Sequence, residues 1–485
     1  MIDGGHILGA AEVRRGDTTA GAGRGQTTLV ALFILSLLLP INVSVGPLQL
    51  PPYRMLLLVL FVPLMLRLLS GQSGRFNLVD GLMLGSALWA MIALFVNNGL
   101  AVIQAAGSYM VELFGAYLLG RIGVRSAEDF LRMTKMLFML MLVLLVFGVA
   151  EAVVRRPILL DLIPKSLPAV YIDPRFGLRR VQSVFAHPIL YGAFVSSLFG
   201  LIWYVIDHNK SFIGRWPKAA MVAVATFISL SSGALMAFVV QGLLIAYETV
   251  TKANARRWTI FGWACVVGYI LLDLLTSKSP FHTIVHRLTF SASSSYNRIL
   301  IFQFGIENVR AHPLFGLGLT EWERPSWMRG SIDNFWLLTA MRYGTPSFLM
   351  LALAIILLIR WSARAPMTEP LARACRAGWL TTMGGIVLAA GTVHYWGSIF
   401  SFVAFLIGAG AWMIVPGAGI VADAAKMTDR PAKRRTAFDV QLPPPSIGQA
   451  EPDRHQTLGS VRRTPGSSPF NSSSRSPSAN AKSRP

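Results

Sequence analysis

Cysteine and acidic residues are scarce in this chain of 485 residues. The two cysteines, Cys265 and Cys375, offer neither a disulfide framework nor a metal site. Only 23 residues are Asp or Glu, against 44 Lys or Arg. Outside the hydrophobic segments the sequence contains no tight cluster of carboxylates and histidines, so we expect a metal-independent protein.

Hydrophobic residues are abundant, at 53% of the chain with a mean hydropathy of +0.54. They gather into runs that approach the roughly twenty residues a helix needs to cross a bilayer. The sequence therefore predicts an all-α fold, a polytopic membrane bundle of about twelve transmembrane helices. The predicted spans are 28–45, 54–70, 78–96, 100–120, 134–153, 187–206, 217–231, 233–250, 258–276, 334–359, 377–394 and 397–415.

Lysine and arginine concentrate in alternate short connections, which the positive-inside rule assigns to the cytoplasm. These connections carry Arg67 and Arg75; Arg121, Arg125, Arg132 and Lys135; Lys210, Arg215 and Lys218; Lys252, Arg256 and Arg257; Arg360, Arg364, Arg373 and Arg376. An even number of spans then places both termini in the cytoplasm. The predicted location is the bacterial inner membrane.

Three regions follow from these patterns. Residues 1–27 form a polar cytoplasmic leader, residues 28–416 the membrane domain, and residues 417–485 a basic, Ser- and Pro-rich tail that we expect to be disordered. The net charge of +21 is largely explained by the cytoplasmic connections and the tail. It therefore gives no reason to expect nucleic acid as a partner.

Two longer connections, residues 154–186 and 277–333, are basic although the topology places them in the periplasm. Long loops are translocated largely regardless of charge, so their arginines can report on a ligand. Arg175, Arg179 and Arg180 form a cluster suited to gripping phosphate oxygens. Contact with ordinary lipid headgroups is the alternative explanation.

The second loop carries an ordered set of motifs. Arg298 is followed by His312-Pro313-Leu314-Phe315-Gly316-Leu317-Gly318 and then by Asp333-Asn334, which opens a helix. This order resembles the O-antigen ligase and Wzy-type polysaccharide polymerase family. The stretch from Arg175 to His187-Pro188 resembles the preceding outer loop of that family, and the resemblance covers roughly residues 170 to 360.

The resemblance implies an integral-membrane glycosyltransferase that acts on an undecaprenyl-diphosphate-linked glycan donor and a glycan acceptor on the periplasmic face. It also implies that no metal, nucleotide or other cofactor takes part. Membrane lipids, a chain-length regulator and a flippase are the further partners it implies. By position Arg298 would bind the donor diphosphate, and Asp333 stands where ligases carry a histidine. Ser232 also replaces an arginine of the family's Ser-Arg-Gly pattern. These two departures favour a polymerase of repeat units over a ligase.

Chemical requirements assign further roles to the same residues. Glycosyl transfer with inversion needs a base for the acceptor hydroxyl and cations for the leaving diphosphate. We predict Asp333 and Arg298 as catalytic, with Glu321 and Glu323 of the same loop as reserve candidates for the base. The predicted substrate-binding residues are Arg175, Arg179, Arg180, His187, His312 and Asn334.

Alternatives remain open at the level of the sequence. Asp333 could be a helix N-cap, and His187 could mark a helix start. A ligase that transfers glycan to lipid A core, or a lipid-linked oligosaccharide flippase, would share the membrane layout. A flippase would be expected to line its path with several ionisable residues, whereas Glu112 is the main one within the spans.

Overall fold

The computed structural model describes residues 26–45, 48–163, 167–170, 174–254, 256–275 and 292–414. In these ranges the chain is mostly helical, with one small two-stranded sheet. Most of the predicted leader and all of the predicted tail lie outside the described residues.

Helices dominate the order of elements along the chain, and the two short strands lie near its start. The elements are α1 (Gln26–Leu37), β1 (Val43–Val45), β2 (Leu48–Leu50), α2 (Pro52–Leu69), α3 (Leu78–Asn98), α4 (Ile103–Met110), α5 (Ala116–Gly123), α6 (Ala127–Val154), α7 (Ile158–Leu162), α8 (Pro188–Leu201), α9 (Trp216–Ile228), α10 (Ser232–Val250), α11 (Arg257–Leu275), α12 (Ala292–Ala311), α13 (Phe335–Arg364), α14 (Pro370–Ala389) and α15 (Ser398–Ala409). Short 3₁₀ turns cover Gly99–Val102, Ile213–Arg215 and Ala411–Ile414, and π-helical turns cover Val111–Gly115 and Ile202–Ile206.

Seven helical segments in the described ranges are long and apolar enough to cross a membrane. They are α2, the segment Leu78–Gly123, α6, Pro188–Ile206, α10, α11 and α13. Their outward faces carry large apolar side chains, and none of the residues of α11 is buried. These features indicate a membrane protein, while the number of about twelve spans stays a prediction.

The first predicted span, residues 28–45, is wrong as a single helix. Helix α1 ends at Leu37, and after Pro40 the chain forms strand β1, paired antiparallel with β2. Proline cannot donate the hydrogen bond that would continue the helix, and the residues after it are rich in β-branched side chains. At 1.5 Å per residue, α1 is about 18 Å long, shorter than a hydrocarbon core of about 30 Å.

The helical segment Leu78–Gly123 is a hairpin rather than one rod. Tyr117 Oη donates a hydrogen bond of 2.6 Å to Asp80 Oδ1, and Arg121 Nε lies 3.4 Å from the same atom. In a straight helix Asp80 and Tyr117 would stand about 55 Å apart. The chain reverses at Gly99, whose φ of 63° ends α3, close to the connection that the sequence predicts at residues 97–99.

The second predicted outer loop, residues 277–333, is not irregular throughout. It contains helix α12, which carries Arg298 in its first half. Residues 276–291 lie outside the described ranges. Helix α14 also begins earlier than the predicted span 377–394, because Pro370 is well suited to a first helical turn.

Close backbone contact joins α5 to α15. A Cβ atom added at Gly120 would lie 2.1 Å from Phe405 O, and one added at Gly408 would lie 2.0 Å from Tyr117 O. Small residues at such crossings let transmembrane helices approach to backbone contact. This contact holds the hairpin α3–α5 against the C-terminal helices.

We expect Gly120→Ala to destabilise the protein, because its methyl group meets backbone atoms rather than a flexible side chain. Overpacking of this kind costs about 1–3 kcal/mol. Gly107→Ala is the matched control, since a Cβ at Gly107 meets nothing within 4 Å. The measurement is the thermal unfolding midpoint of each purified variant in detergent. An equal midpoint for both variants would contradict the packing role.

Candidate anion-binding site

Four charged side chains meet at one end of the bundle. Arg175 and Arg180 come from the segment between α7 and α8, Arg298 from α12, and Asp333 from the entry to α13. Burial and the nearby guanidinium groups of Arg175 and Arg298 lower the pKa of Arg180 to about 10, and Asp333 acts in the opposite direction. The structure therefore brings together four of the residues predicted from two separate loops.

Arg180 is the most buried of these arginines, with 7% of its surface exposed. Its Nε atom is buried without a hydrogen-bond partner. The fall of its pKa to about 10 corresponds to about 3 kcal/mol against the charged form. An anion bound beside Arg180 would remove most of this penalty, because it would both neutralise and hydrogen-bond the guanidinium group.

The other two arginines of the predicted cluster have protein partners. Arg175 Nη1 donates to Leu230 O at 2.7 Å. Arg179 Nε lies 3.7 Å from Glu151 Oε1, and Arg179 Nη1 donates to Arg155 O at 3.3 Å. Arg179 therefore serves to hold the segment, whereas Arg175 and Arg180 extend the positive surface near Asp333.

Glu151, in the last turn of α6, holds the segment that carries Arg180. Its two carboxylate oxygens accept hydrogen bonds from the backbone N–H groups of Gln182, at 3.1 Å, and Ser183, at 2.9 Å. Glu151 itself is buried. The bonds place the backbone just after Arg180 at a defined position on the end of α6.

Unusual backbone conformations surround the site. Phe176, Ser183 and Leu230 have φ values of 53°, 53° and 46°, a region that side chains other than glycine seldom adopt. Such residues persist where the surrounding contacts hold them in place, and they cluster at functional sites. Here the contacts are those of Glu151 with the segment and of Arg175 with Leu230.

The turn between α9 and α10 closes one side of the site. Arg298 Nη1 and Nη2 each lie 3.3 Å from Ser232 Oγ. Ser232, which the predicted family resemblance aligns with an arginine, accepts hydrogen bonds from Arg298. The turn thus orients an arginine supplied by another helix.

Asp333 is not the N-cap of α13. That role belongs to Asn334, whose Oδ1 accepts a hydrogen bond of 3.0 Å from Leu337 N. Asn334 is buried and committed to this cap, so its predicted contact with substrate has no support in the described structure. Asp333 is left facing the arginines: burial raises its pKa, while Arg298 and Arg180 lower it, and the net direction is upward.

His187 caps helix α8, as the structural alternative anticipated. Its Nδ1 accepts a hydrogen bond of 3.1 Å from Ile189 N. Burial and the charge of Arg180 lower the pKa of His187 to about 4, so the ring is neutral at ordinary pH. Because Nδ1 accepts, the proton of the neutral ring is on Nε2.

His312 is not brought to the arginine cluster. It is exposed and follows α12, fourteen residues after Arg298, which corresponds to about 20 Å along a helix. Its motif has a docking role, since Leu317 N and Gly318 N donate to Met341 O and Arg342 O at 2.7 and 2.9 Å. Substrate binding by His312 stays a prediction, without a supporting contact in the described structure.

Glu112 is not an isolated intramembrane glutamate. Arg54 Nη2 lies 2.7 Å from its Oε1 atom, and Tyr53 Oη donates to the same oxygen at 3.0 Å. No pattern in the sequence predicts this pair, because Arg54 stands 58 positions earlier. The pair is a separate polar contact between α2 and the π-helical turn.

Sequence reasoning missed two further features of the site. Glu151 lies within a predicted span, and its only signal is an acidic residue in the last turn of an apolar helix before a basic loop. The Trp396 ring lies 5.7 Å from His187 and 5.5 Å from His394. Nothing in the spacing of these residues along the chain predicts that they would meet.

No protein-family model matches the chain, and a search of curated proteins finds no match. The chemistry of the site therefore follows from its own residues. Guanidinium groups with an orphaned donor suit an anion with several oxygens, and an adjacent carboxylate suits proton acceptance. In the described ranges no group of three or more His, Cys, Asp or Glu residues could hold a metal ion.

We expect Arg180→Gln to weaken binding of inorganic pyrophosphate by about tenfold or more, because it removes a charged hydrogen-bond donor. The same change should raise the thermal unfolding midpoint of the ligand-free protein, since it removes a buried cation that lies near two others. Calorimetric titration and thermal unfolding measure the two effects.

Arg156→Gln is the matched control for this variant. Arg156 is exposed in the short connection between α6 and α7, so its replacement should change neither quantity appreciably. Equal pyrophosphate affinity in the two variants would remove Arg180 from the site.

Proposed function

We propose that the protein is an integral-membrane glycosyltransferase that polymerises undecaprenyl-diphosphate-linked oligosaccharide repeat units on the periplasmic side of the inner membrane. The observation that carries the proposal is the buried Arg180, whose Nε has no partner, beside Arg175, Arg298 and Asp333. The substrate class comes from the resemblance of the outer-loop motifs to the polymerase and ligase family. The product would be exopolysaccharide or O-antigen.

The cluster supplies what a glycosyl transfer requires. Arg175, Arg180 and Arg298 bind the donor diphosphate and neutralise the charge that grows on it as its bond to the anomeric carbon breaks. Asp333 accepts the proton of the acceptor hydroxyl while that oxygen forms the new bond to the same carbon. The products are one elongated glycan and free undecaprenyl diphosphate.

Exclusion of water supports this use of arginines. Arg180 is almost fully buried, and the pKa of Arg298 is lowered by burial and by Arg175. Electrostatic contacts are stronger in such surroundings than in open water. The arrangement can therefore stabilise a leaving diphosphate with side chains alone.

Deletion of the gene is the experiment that tests the proposal, with lipid-linked glycans and surface polysaccharide then separated by size. We expect single repeat units to accumulate on the outward-facing carrier and polymer to be absent. Full-length polymer left on the carrier would indicate a ligase instead, and units trapped facing the cytoplasm would indicate a flippase.

Complementation of the deletion locates the activity. We expect Arg298→Ala and Asp333→Ala each to abolish long polymer while the amount of protein in the membrane stays unchanged. Arg310→Ala is the control, because Arg310 is exposed in the last turn of the same helix. Normal polymer from both site variants would leave the assignment of the site unsupported.

The pH dependence provides a second test of Asp333 as the base. The rate should fall on the acid side as Asp333 becomes protonated. Arg180 lowers the pKa of Asp333, so Arg180→Gln should move this acid limb upward by up to about one pH unit. Arg180→Lys keeps the positive charge and should leave the limb near that of the wild type.

The measurement is the initial rate of chain extension against pH, with purified lipid-linked repeat units and protein in lipid nanodiscs. Arg180→Gln is expected to have a low rate. The comparison is therefore of the pH at which each protein's rate falls on the acid side, rather than of the maximal rate. An acid limb at the same pH in all three proteins would exclude Asp333 as the titrating base.

A further inference from the structure

A cavity of about 320 Å³ is formed by the segment before α13 and by α13 itself, outside the anion site. Its lining includes Thr320, Glu321, Trp322, Ile332 and Arg342 and none of the clustered arginines. Ile332 is bonded to Asp333, so their Cα atoms are about 3.8 Å apart. Along the chain the cavity lining therefore reaches the residue before the candidate base, and it includes Met341 and Arg342 in α13.

The walls of the cavity are held by their own small hydrophobic cluster, which is separate from the main core of the bundle. Its buried members are Ile301, Trp322, Met328, Leu337 and Met341. Trp322 also donates a hydrogen bond of 3.1 Å from Nε1 to Gly330 O. The segment is thus preformed, as is usual for small-molecule sites.

The motif His312–Gly318 precedes the cavity along the chain and packs against α13. Gly318 N donates to Arg342 O at 2.9 Å, and Gly316 and Gly344 have φ values of 62° and 80°. A Cβ at Gly344 would lie 1.9 Å from Leu314 O, so glycine is needed for this contact. These contacts hold the motif against α13, and Leu317 of the motif lines the cavity together with Met341 and Arg342.

The lining combines groups that suit a polyhydroxyl ligand. Glu321 offers carboxylate oxygens, with 77% of its side chain exposed and an ion pair of 2.5 Å to Arg324. Thr320 carries a hydroxyl group, while Trp322 and Ile332 add apolar surface. Sugars present hydroxyl edges and apolar faces, and acceptor oxygens beside apolar walls match both.

We propose that this cavity binds the terminal sugar of the acceptor glycan and presents its hydroxyl group to Asp333. The inference rests on the proposed function, since it names the part of the molecule that holds the acceptor. The diphosphate of the donor and the sugar of the acceptor then occupy neighbouring sites on either side of Asp333. The volume of the cavity is at the lower end of the roughly 300–1,000 Å³ usual for ligand sites, which suits a short saccharide end.

The test compares the full-length wild type with Thr320→Trp, Glu321→Gln and Glu323→Gln in nanodiscs of phosphatidylethanolamine and phosphatidylglycerol. Thr320→Trp fills the cavity, and Glu321→Gln removes its carboxylate. Glu323→Gln is the matched control, because Glu323 is exposed two residues away and does not line the cavity. One probe is an oligosaccharide fragment from partial hydrolysis of the host cell's surface polysaccharide, and the other is farnesyl diphosphate.

Saturation-transfer NMR and calorimetric titration measure binding of the two probes. We expect the wild type and Glu323→Gln to bind the saccharide equally, with at least about tenfold weaker binding in Thr320→Trp and Glu321→Gln. Farnesyl diphosphate should bind all four proteins alike. If Thr320→Trp loses both probes through misfolding, Glu321→Gln, which alters an exposed side chain, decides the outcome.

The proposal would be overturned if the wild type does not bind the saccharide, or if all four proteins bind it equally. If the proteins still bind farnesyl diphosphate in that case, the diphosphate site of the proposed function is intact. Failure of the wild type to bind farnesyl diphosphate would instead count against the proposed function. The saccharide and diphosphate probes therefore distinguish failure of this inference from failure of the proposed function.

Discussion

A buried guanidinium group is unfavourable unless an anion or acceptor meets it, and this constraint governs the candidate site. Arg180 is buried near Arg175 and Arg298, and the pKa of Arg180 falls to about 10. The folded chain bears this unfavourable charge because other contacts compensate for it. They include the two hydrogen bonds that Glu151 accepts from the backbone N–H groups of Gln182 and Ser183.

The unusual φ values at Ser183 and Leu230 occur at two positions that contact the groups holding this site. The bond from Arg175 to Leu230 O and the carboxylate of Glu151 keep these two positions in place. The site is therefore organised before any ligand arrives, which reduces the ordering needed on binding.

The sequence predicted the helical class and most helix positions, because apolar runs and helix length depend on local composition. It also predicted that Arg175, Arg180, Arg298 and Asp333 belong to one site, from loop charge and a family resemblance. It did not predict that the first helix ends before Pro40 and a strand follows. Nor did it predict α12, along which His312 and Arg298 are separated by about 20 Å.

Asp333 and Asn334 show why a local sequence pattern does not decide which of two polar residues caps a helix. Either residue could cap a helix, and a polar pair before an apolar run is compatible with both. The choice is made by Phe335, whose N–H donates to Ala390 O at 2.8 Å, and by the cap from Asn334. With Asn334 used for the helix, Asp333 is the carboxylate that remains near Arg180 and Arg298. A carboxylate near cations can receive a proton from an acceptor hydroxyl while the cations hold a leaving diphosphate.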